Sequence, residues 1–166
     1  MDQPVFASPN AKKGGTWDDA LGAFPATFRH VGPDSNGRFR SVLLDVEMAL
    51  TAFHPNTNIH MPGIAQKWAV GKDKRTVYYK LDPDAKRDDG EPITADDFVY
   101  ALKFNRSPGI VAPWYNQYYS TMLDEVLKFD DHRIAVRVPQ PVADIVYRTS
   151  MMPFPHHYYG DFRTVK

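Results

Sequence analysis

The chain has 166 residues, 43% hydrophobic and 13% aromatic, a composition typical of a globular domain with one sizeable core. Twenty basic and twenty acidic residues give a formal net charge of zero, which argues against a general nucleic-acid binder. No apolar run reaches the roughly 20 residues that span a bilayer, and the absence of cysteine excludes disulfides and thiol chemistry.

The first part of the chain is predicted to be irregular, with one short strand. Residues 1–13 are polar and contain two prolines, which predicts a flexible tail. No basic segment followed by an apolar one opens the chain, so no signal peptide is expected in it. A strand is predicted over residues 16–21, although Asp18 and Asp19 are poor strand formers. The segment RHVGPDSNG that follows is typical of a loop.

A helix is predicted over residues 38–53, because apolar residues recur on one face at helical spacing. Ser35 or Asn36 is expected to cap its start, and Pro55 cannot continue it. The predicted apolar face comprises Phe39, Val42, Leu43, Val46, Leu50 and Phe53.

The middle of the chain contains the clearest alternation. The segment MPGIAQKWAV is short and apolar, GKDKR is typical of a turn, and TVYYKL predicts a strand with Val77, Tyr79 and Leu81 on its buried face. An acidic turn, DDGEP, follows the strand. Thr94 and Asp97 then have the spacing of a capping box, which predicts a helix.

That helix is expected to bury Phe98, Ala101 and Leu102. Beyond it, SPGIVAPWYNQYYSTM is aromatic and interrupted by proline and glycine, and it suits a pocket lining or a core edge equally well. The segment DEVLKFDDHRIAVRV predicts a hairpin that turns at Asp130 and Asp131. For ADIVYRTSMM, periodicity leaves helix and extended structure both open.

Catalytic motifs are absent from the sequence. It has no Gly-x-Ser-x-Gly, no phosphate-binding loop and no dinucleotide fingerprint, so an enzyme is not predicted and no cofactor is expected. Structural or surface roles are favoured for the six histidines, because His54 and His60 lack a helical ligand spacing and the adjacent His156 and His157 diverge. A metal-binding domain that uses these four histidines remains an alternative function.

Three motifs carry a resemblance to a known family. They are GGT at 14–16, PGIA at 62–65 followed by Trp68, and DGEPITADDFV at 89–99. In this order and spacing they resemble the bacterial extracellular solute-binding proteins of family 5. FRHVGPDSNGRFRS and IVAPWYNQYY are most similar to the oligopeptide-binding branch that includes the microcin C importer's binding protein. The resemblance covers about residues 12–162.

The resemblance implies an α/β (α+β) fold: the N-terminal part of lobe I of a two-lobed periplasmic-binding-protein-like (class C) fold, with a mixed sheet and packed helices. Residues 14–166 are then an incomplete first lobe. The implied function is that of the substrate-binding component of a bacterial ABC importer, which captures peptides, above all oligopeptides, and delivers them to a membrane permease. The implied location is periplasmic, or extracellular and membrane-associated.

The resemblance also implies a ligand site. In the similar oligopeptide binders the loop before the first long helix pairs with peptide backbone, and an aromatic residue near the position of Trp114 lines a pocket. A loop or core role is the alternative for each of these positions. The expected ligand-facing residues are His30, Val31, Gly32, Asp34, Trp114 and Tyr115.

The chain departs from the family pattern in two places and in length. Arg87 stands where the family usually has an aromatic residue, and Asp18 and Asp19 follow the GGT motif. Family members are also much longer, so a fragment without the second lobe is expected. Apolar surface that later segments cover would then be exposed, which predicts poor solubility or a self-associating interaction domain as a further alternative.

Overall fold

The structure, a computed structural model, describes residue 8, residues 10–12 and residues 14–160. The predicted flexible tail, 1–13, therefore lies largely outside the described residues. The strand predicted over residues 16–21 is wrong, because this segment is irregular and Trp17 is 91% exposed. The Asp19 side chain accepts a hydrogen bond from the Ala20 N–H at 2.8 Å. Such local bonds compete with strand pairing for backbone groups.

Two antiparallel sheets form the strand framework of the described residues. A small sheet pairs β1 with β2, and a four-stranded sheet has the order β3-β4-β6-β5. All of these pairs are antiparallel. The strands are β1 (Thr51–Phe53), β2 (His60–Pro62), β3 (Ala65–Val70), β4 (Thr76–Leu81), β5 (Glu125–Asp130) and β6 (Arg133–Arg137).

Helices pack against the larger sheet, which agrees with the predicted α/β (α+β) class. The central helix packs against β5 and against the aromatic helix that follows it. No helix of the described residues is long and apolar enough to cross a membrane. The helices are α1 (Arg38–Val46), α2 (Ala95–Arg106), α3 (Pro113–Thr121), α4 (Ile145–Thr149) and α5 (His156–Tyr159).

The core lies between the four-stranded sheet and α2, and most of the predicted packing is confirmed. Val77, Tyr79 and Leu81 are buried on the inner face of β4, as the alternation predicts. The inner positions of α2 are Phe98, Ala101 and Leu102, and all three are buried. On β6 and just beyond it, Ile134, Val136 and Val138 complete this layer. The predicted hairpin is confirmed, with its turn one residue later, at Asp131 and His132.

The first helix is shorter than predicted, because residues in the second half of the predicted range form hydrogen bonds with distant segments instead. It ends at Val46, and none of its residues is buried. The Leu50 N–H instead donates to the Met151 carbonyl, and Thr51 begins β1. The predicted caps are also wrong: Gly37 is the N-cap, with no side-chain capping bond.

Exposed aromatic and aliphatic side chains are numerous along the chain. They include Phe24, Phe28 and Val111, which lie in irregular segments. Self-association through such surfaces stays a prediction.

The buried carboxylate of Asp97 connects three segments of the chain. It accepts a hydrogen bond from the Thr94 N–H at 2.8 Å, which confirms the predicted capping box. The guanidinium of Arg87, which directly precedes the acidic turn, lies 3.1 Å from the same carboxylate. His156, at the start of α5, approaches it with its backbone N–H at 3.3 Å and its Nδ1 at 3.1 Å. The Asp97 side chain is only 1% exposed.

We expect Asp97→Asn to lower the free energy of unfolding by about 3 kcal/mol, because it leaves Arg87 without its buried counter-charge. The amide also points a donor at a site where the carboxylate accepts several bonds. Urea denaturation followed by circular dichroism measures this change. Asp96→Asn is the matched control, because Asp96 is the neighbouring acid and forms an exposed pair with Lys128. Its expected effect is below about 1 kcal/mol, and equal losses in both variants would contradict the role of Asp97.

Candidate functional site

The loop before α1 has a backbone conformation that few residues adopt. Gly32 has φ +117° and Asp34 has φ +62°. Glycine reaches the first value without steric cost, and aspartate is among the few other residues that tolerate the second. The buried Ser35 hydroxyl donates to the Gly32 carbonyl at 2.7 Å and holds the turn closed. Ser35 therefore stabilises the loop rather than capping α1.

The aromatic segment forms the helix α3, which begins at Pro113. Proline is favoured at this first position, because its missing N–H would have no intrahelical partner. The Trp114 ring stacks on the Tyr118 ring at a centroid distance of 5.2 Å. The helix is fixed to α2 by two bonds: Asn116 Nδ2 donates to the Asn105 carbonyl at 2.7 Å, and Arg106 Nε donates to the Tyr119 carbonyl at 2.8 Å.

The loop and the start of α3 face each other across a cavity of about 660 Å³. The Arg40 guanidinium from α1 lies 4.9 Å from the centroid of the Tyr115 ring and closes one side. The structure thus brings together four residues that the sequence predicts as ligand-facing, from segments about 80 positions apart: Gly32, Asp34, Trp114 and Tyr115.

His30 is placed differently, in a neighbouring cavity of about 780 Å³. Its ring stacks on Phe154 at 5.7 Å and contacts the edge of Tyr115 at 6.5 Å. Glu47 and Arg87 line the same cavity. His30 and Tyr115 therefore form the boundary between the two cavities.

Burial and, to a lesser extent, Arg40 lower the pKa of His30 below its ordinary value of 6.5. They do so even though its Nδ1 lies 3.3 Å from Glu47 Oε1. Burial also raises the pKa of Glu47, against the opposing charges of Arg87 and Arg40. The His30 imidazole is therefore neutral near neutral pH, and its buried Nε2 has no hydrogen-bond partner among the described residues.

Val31 points its side chain into the core, where it is buried. Its contribution to a site is confined to its backbone. The backbone N–H and carbonyl groups of His30, Val31 and Asp34 form no hydrogen bond within the part of the chain that the structure describes. Unpaired main-chain groups of this kind are available to a ligand.

Sequence reasoning missed three residues that shape these cavities. Arg40 lies in a predicted helix and Glu47 just beyond the end that the helix has in the structure, while Phe154 lies in a segment without a clear pattern. No local signal distinguishes them, because their neighbours in the cavity walls come from distant parts of the chain.

The predicted structural roles of the histidines have specific partners. His60 Nε2 lies 3.1 Å from Asp144 and His157 Nε2 lies 2.9 Å from Asp89, while His156 contacts Asp97. Within residues 8, 10–12 and 14–160, no group of three or more histidine or acidic residues could hold a metal ion.

Comparison with known sequences identifies one family. The profile of "Bacterial extracellular solute-binding proteins, family 5 Middle" matches residues 60–164, which is more than half of the chain. The periplasmic oligopeptide-binding protein OppA of Escherichia coli K12 is 34% identical over 49% of this chain and 18% of that protein. The dipeptide-binding protein DppE of Bacillus subtilis is 45% identical over 25% of this chain and 8% of that protein.

Solved structures show the same fold. Haemophilus influenzae OppA in complex with RPPGFSPFR aligns with a TM-score of 0.69 and 27% identity, over 82% of this chain and 30% of that one. The murein tripeptide binding protein MppA of Escherichia coli aligns with a TM-score of 0.68 and 22% identity, over 84% of this chain and 31% of that one. The chain spans about a fifth or less of the length of these curated relatives.

As the pH is lowered, we expect the free energy of unfolding of the wild-type chain to fall more steeply than that of the His30→Gln variant. In the unfolded chain His30 binds a proton near its ordinary pKa, whereas the folded state resists protonation until the pH is lower. The unfolded state therefore gains protons first as the pH falls below 6.5. Urea midpoints of both proteins, measured from about pH 7.5 to about pH 5.5, report the difference.

Glu47, whose pKa is raised in the folded state, affects the pH dependence of stability in the opposite direction. It is present in both proteins, so the difference between their pH profiles reports on His30. Parallel pH profiles would show that His30 is not held neutral by its surroundings.

Proposed function

We propose that this chain, which belongs to the bacterial extracellular solute-binding proteins of family 5, captures short peptides at the cavity between the 30–34 loop and α3. The proposed site has a backbone side, the loop, and an aromatic side, Trp114 and Tyr115. Binding is noncovalent, and no residue of the site is assigned a catalytic role.

One observation carries the proposal: unpaired main-chain groups of the loop lie across the cavity from the exposed ring of Trp114. The N–H and carbonyl groups of Val31 and Asp34 have no partners among the described residues. An extended peptide supplies complementary groups at regular spacing, and strand-like pairing satisfies both chains. Trp114 is 64% exposed and offers a flat apolar surface to a peptide side chain.

This arrangement favours peptides as a class over any one sequence. Main-chain pairing is common to all peptides, and a cavity of about 660 Å³ with mixed lining accepts side chains of several sizes. The neutral His30, which contacts the Tyr115 ring from the neighbouring cavity, adds no charge that would disfavour binding of an apolar side chain. Asp34 and Arg40 place one acidic and one basic group in the lining, so neither sign of ligand charge is excluded.

The proposed cellular role is that of the substrate-binding component of an ABC importer, which passes its peptide to a membrane permease from the periplasm. The support is family membership and the similarity to two relatives: the oligopeptide-binding OppA of Escherichia coli is periplasmic, and a Deinococcus radiodurans relative is a probable ABC transporter-binding protein. The chain spans about a fifth or less of the length of these relatives, so we expect it to make only part of their ligand contacts and to bind weakly.

We expect a pool of tri- to pentapeptides at millimolar concentration to raise the melting temperature of the chain. Ligand that binds only the folded state stabilises it by mass action, and each kcal/mol raises the melting temperature of a chain of this size by about 2–4 °C. Trp114→Ala should reduce the affinity about tenfold, because an exposed aromatic contact is lost. Trp17→Ala is the matched control, since Trp17 is exposed and does not line the cavity.

Two further ligands sharpen the test. A mixture of free amino acids of the same composition should have no effect, because it lacks the repeating backbone. Peptides methylated at the backbone nitrogens should also lose the effect, because they cannot donate to the loop. A peptide effect that persists on methylation, or that Trp17→Ala and Trp114→Ala reduce equally, would reject this site.

A further inference from the structure

The outer face of the four-stranded sheet places three cations side by side. The strand register sets Lys67 of β3 opposite Lys80 of β4, and Lys80 opposite Arg133 of β6. All three residues are exposed. Like charges directly opposite each other destabilise a sheet. A row of three therefore costs stability, and the fold does not explain it.

The two lysines of this row have no ion-pair partner within the described part of the chain. Arg133 binds Asp130, with Nε 2.6 Å from Oδ2. No described acidic group lies within ion-pair distance of Lys67 or Lys80. Their charge is therefore directed to solvent.

An aromatic pair lies on the same face. Tyr78, two residues before Lys80, stacks on Phe129 with ring centroids 6.2 Å apart. Both side chains are about half exposed, at 47% and 58%. Between them, in register with Tyr78, lies Ala135, which is fully buried. The small alanine lets the two rings close over it and form one flat apolar surface.

The turn between β3 and β4 extends the positive surface. Lys72 and Lys74 are exposed there and form no ion pair with described residues. The one acid of the turn, Asp73, is used locally: its Oδ2 accepts from the Thr76 hydroxyl at 2.6 Å. Residues 66–80 thus carry five basic residues and one acidic residue in a chain with no net charge.

We propose that this face, defined by Lys67, Lys80, Arg133, Tyr78 and Phe129 with the turn lysines, docks on the surface of an anionic phospholipid bilayer. Lysines beside exposed aromatic rings, one of which ends in the polar hydroxyl of Tyr78, match a membrane interface, where the rings sit among headgroups and the ammonium groups reach the phosphates. Lysine is depleted in protein–protein interfaces, so an acidic protein partner fits this face less well. This inference does not depend on the proposed peptide site.

Co-sedimentation with vesicles tests the proposal. The chain is expected to sediment with vesicles of equal parts phosphatidylglycerol and phosphatidylcholine in low salt, and to remain in solution with pure phosphatidylcholine. Added salt should weaken binding, because it screens exposed charges. Lys67→Gln/Lys80→Gln should reduce the partition coefficient about fivefold for each lysine removed. Lys12→Gln/Lys103→Gln is the matched control, with the same change in charge at exposed positions that lie off this face.

A thermal melt shows that the variant is folded. Removing like charges that face each other should leave the melting temperature of Lys67→Gln/Lys80→Gln unchanged or raised. Lys72→Gln/Lys74→Gln, which changes only the turn, should weaken sedimentation as well. Absence of binding to the anionic vesicles, or an equal loss in the control variant, would overturn the proposal. Peptide-dependent melting of the same variants should be unaffected, which separates a failure here from a failure of the peptide site.

Discussion

The Asp97 carboxylate is the interaction on which the arrangement of the described fold depends. It joins the N-terminus of α2, the acidic turn through Arg87 and the start of α5 through His156. The backbone carbonyl of Asp97 accepts a hydrogen bond from the Phe154 N–H at 3.2 Å. Because Phe154 stacks on His30, the same junction fixes one wall of the larger cavity. One buried charge thus links the helix layer to the edge of the candidate site.

Arg87 takes part in this junction. It is a cation with a side chain that is 15% exposed, and it compensates the charge of Asp97. A buried carboxylate without such a partner would be costly. Arg87 also lines the cavity beside His30 and opposes the effect of burial on the pKa of Glu47. Arg87 therefore contributes to the electrostatics of the cavity as well as to the packing of the turn.

The parts of the fold that the sequence predicts correctly are those whose signal is local. β4 and α2 have uninterrupted periodicity and matched ends, and their burial follows it. The end of α1 could not be predicted, because the helical spacing of apolar residues continues past Val46. The helix ends there because the Leu50 N–H donates to the carbonyl of Met151, about 100 residues away. The candidate site likewise combines parts that local sequence predicts with parts that depend on tertiary contacts. The resemblance identifies the loop and the aromatic segment, but Arg40 and Phe154 enter the cavity walls only through tertiary contacts.

The zero net charge of the composition conceals a separation of charge in the folded chain. Many acids serve the backbone: Asp97 and Asp144 bind N–H groups at helix starts, and Asp73 closes the turn before β4. These local bonds hold the acids at turns and helix starts, away from Lys67 and Lys80, which have no acidic group within ion-pair distance among the described residues. The lysines of the β3–β4 hairpin, which have no such local role, are left facing solvent. A neutral sequence can therefore present a strongly basic surface, because acidic side chains cap and turn the backbone in ways that lysine, which has no acceptor, cannot.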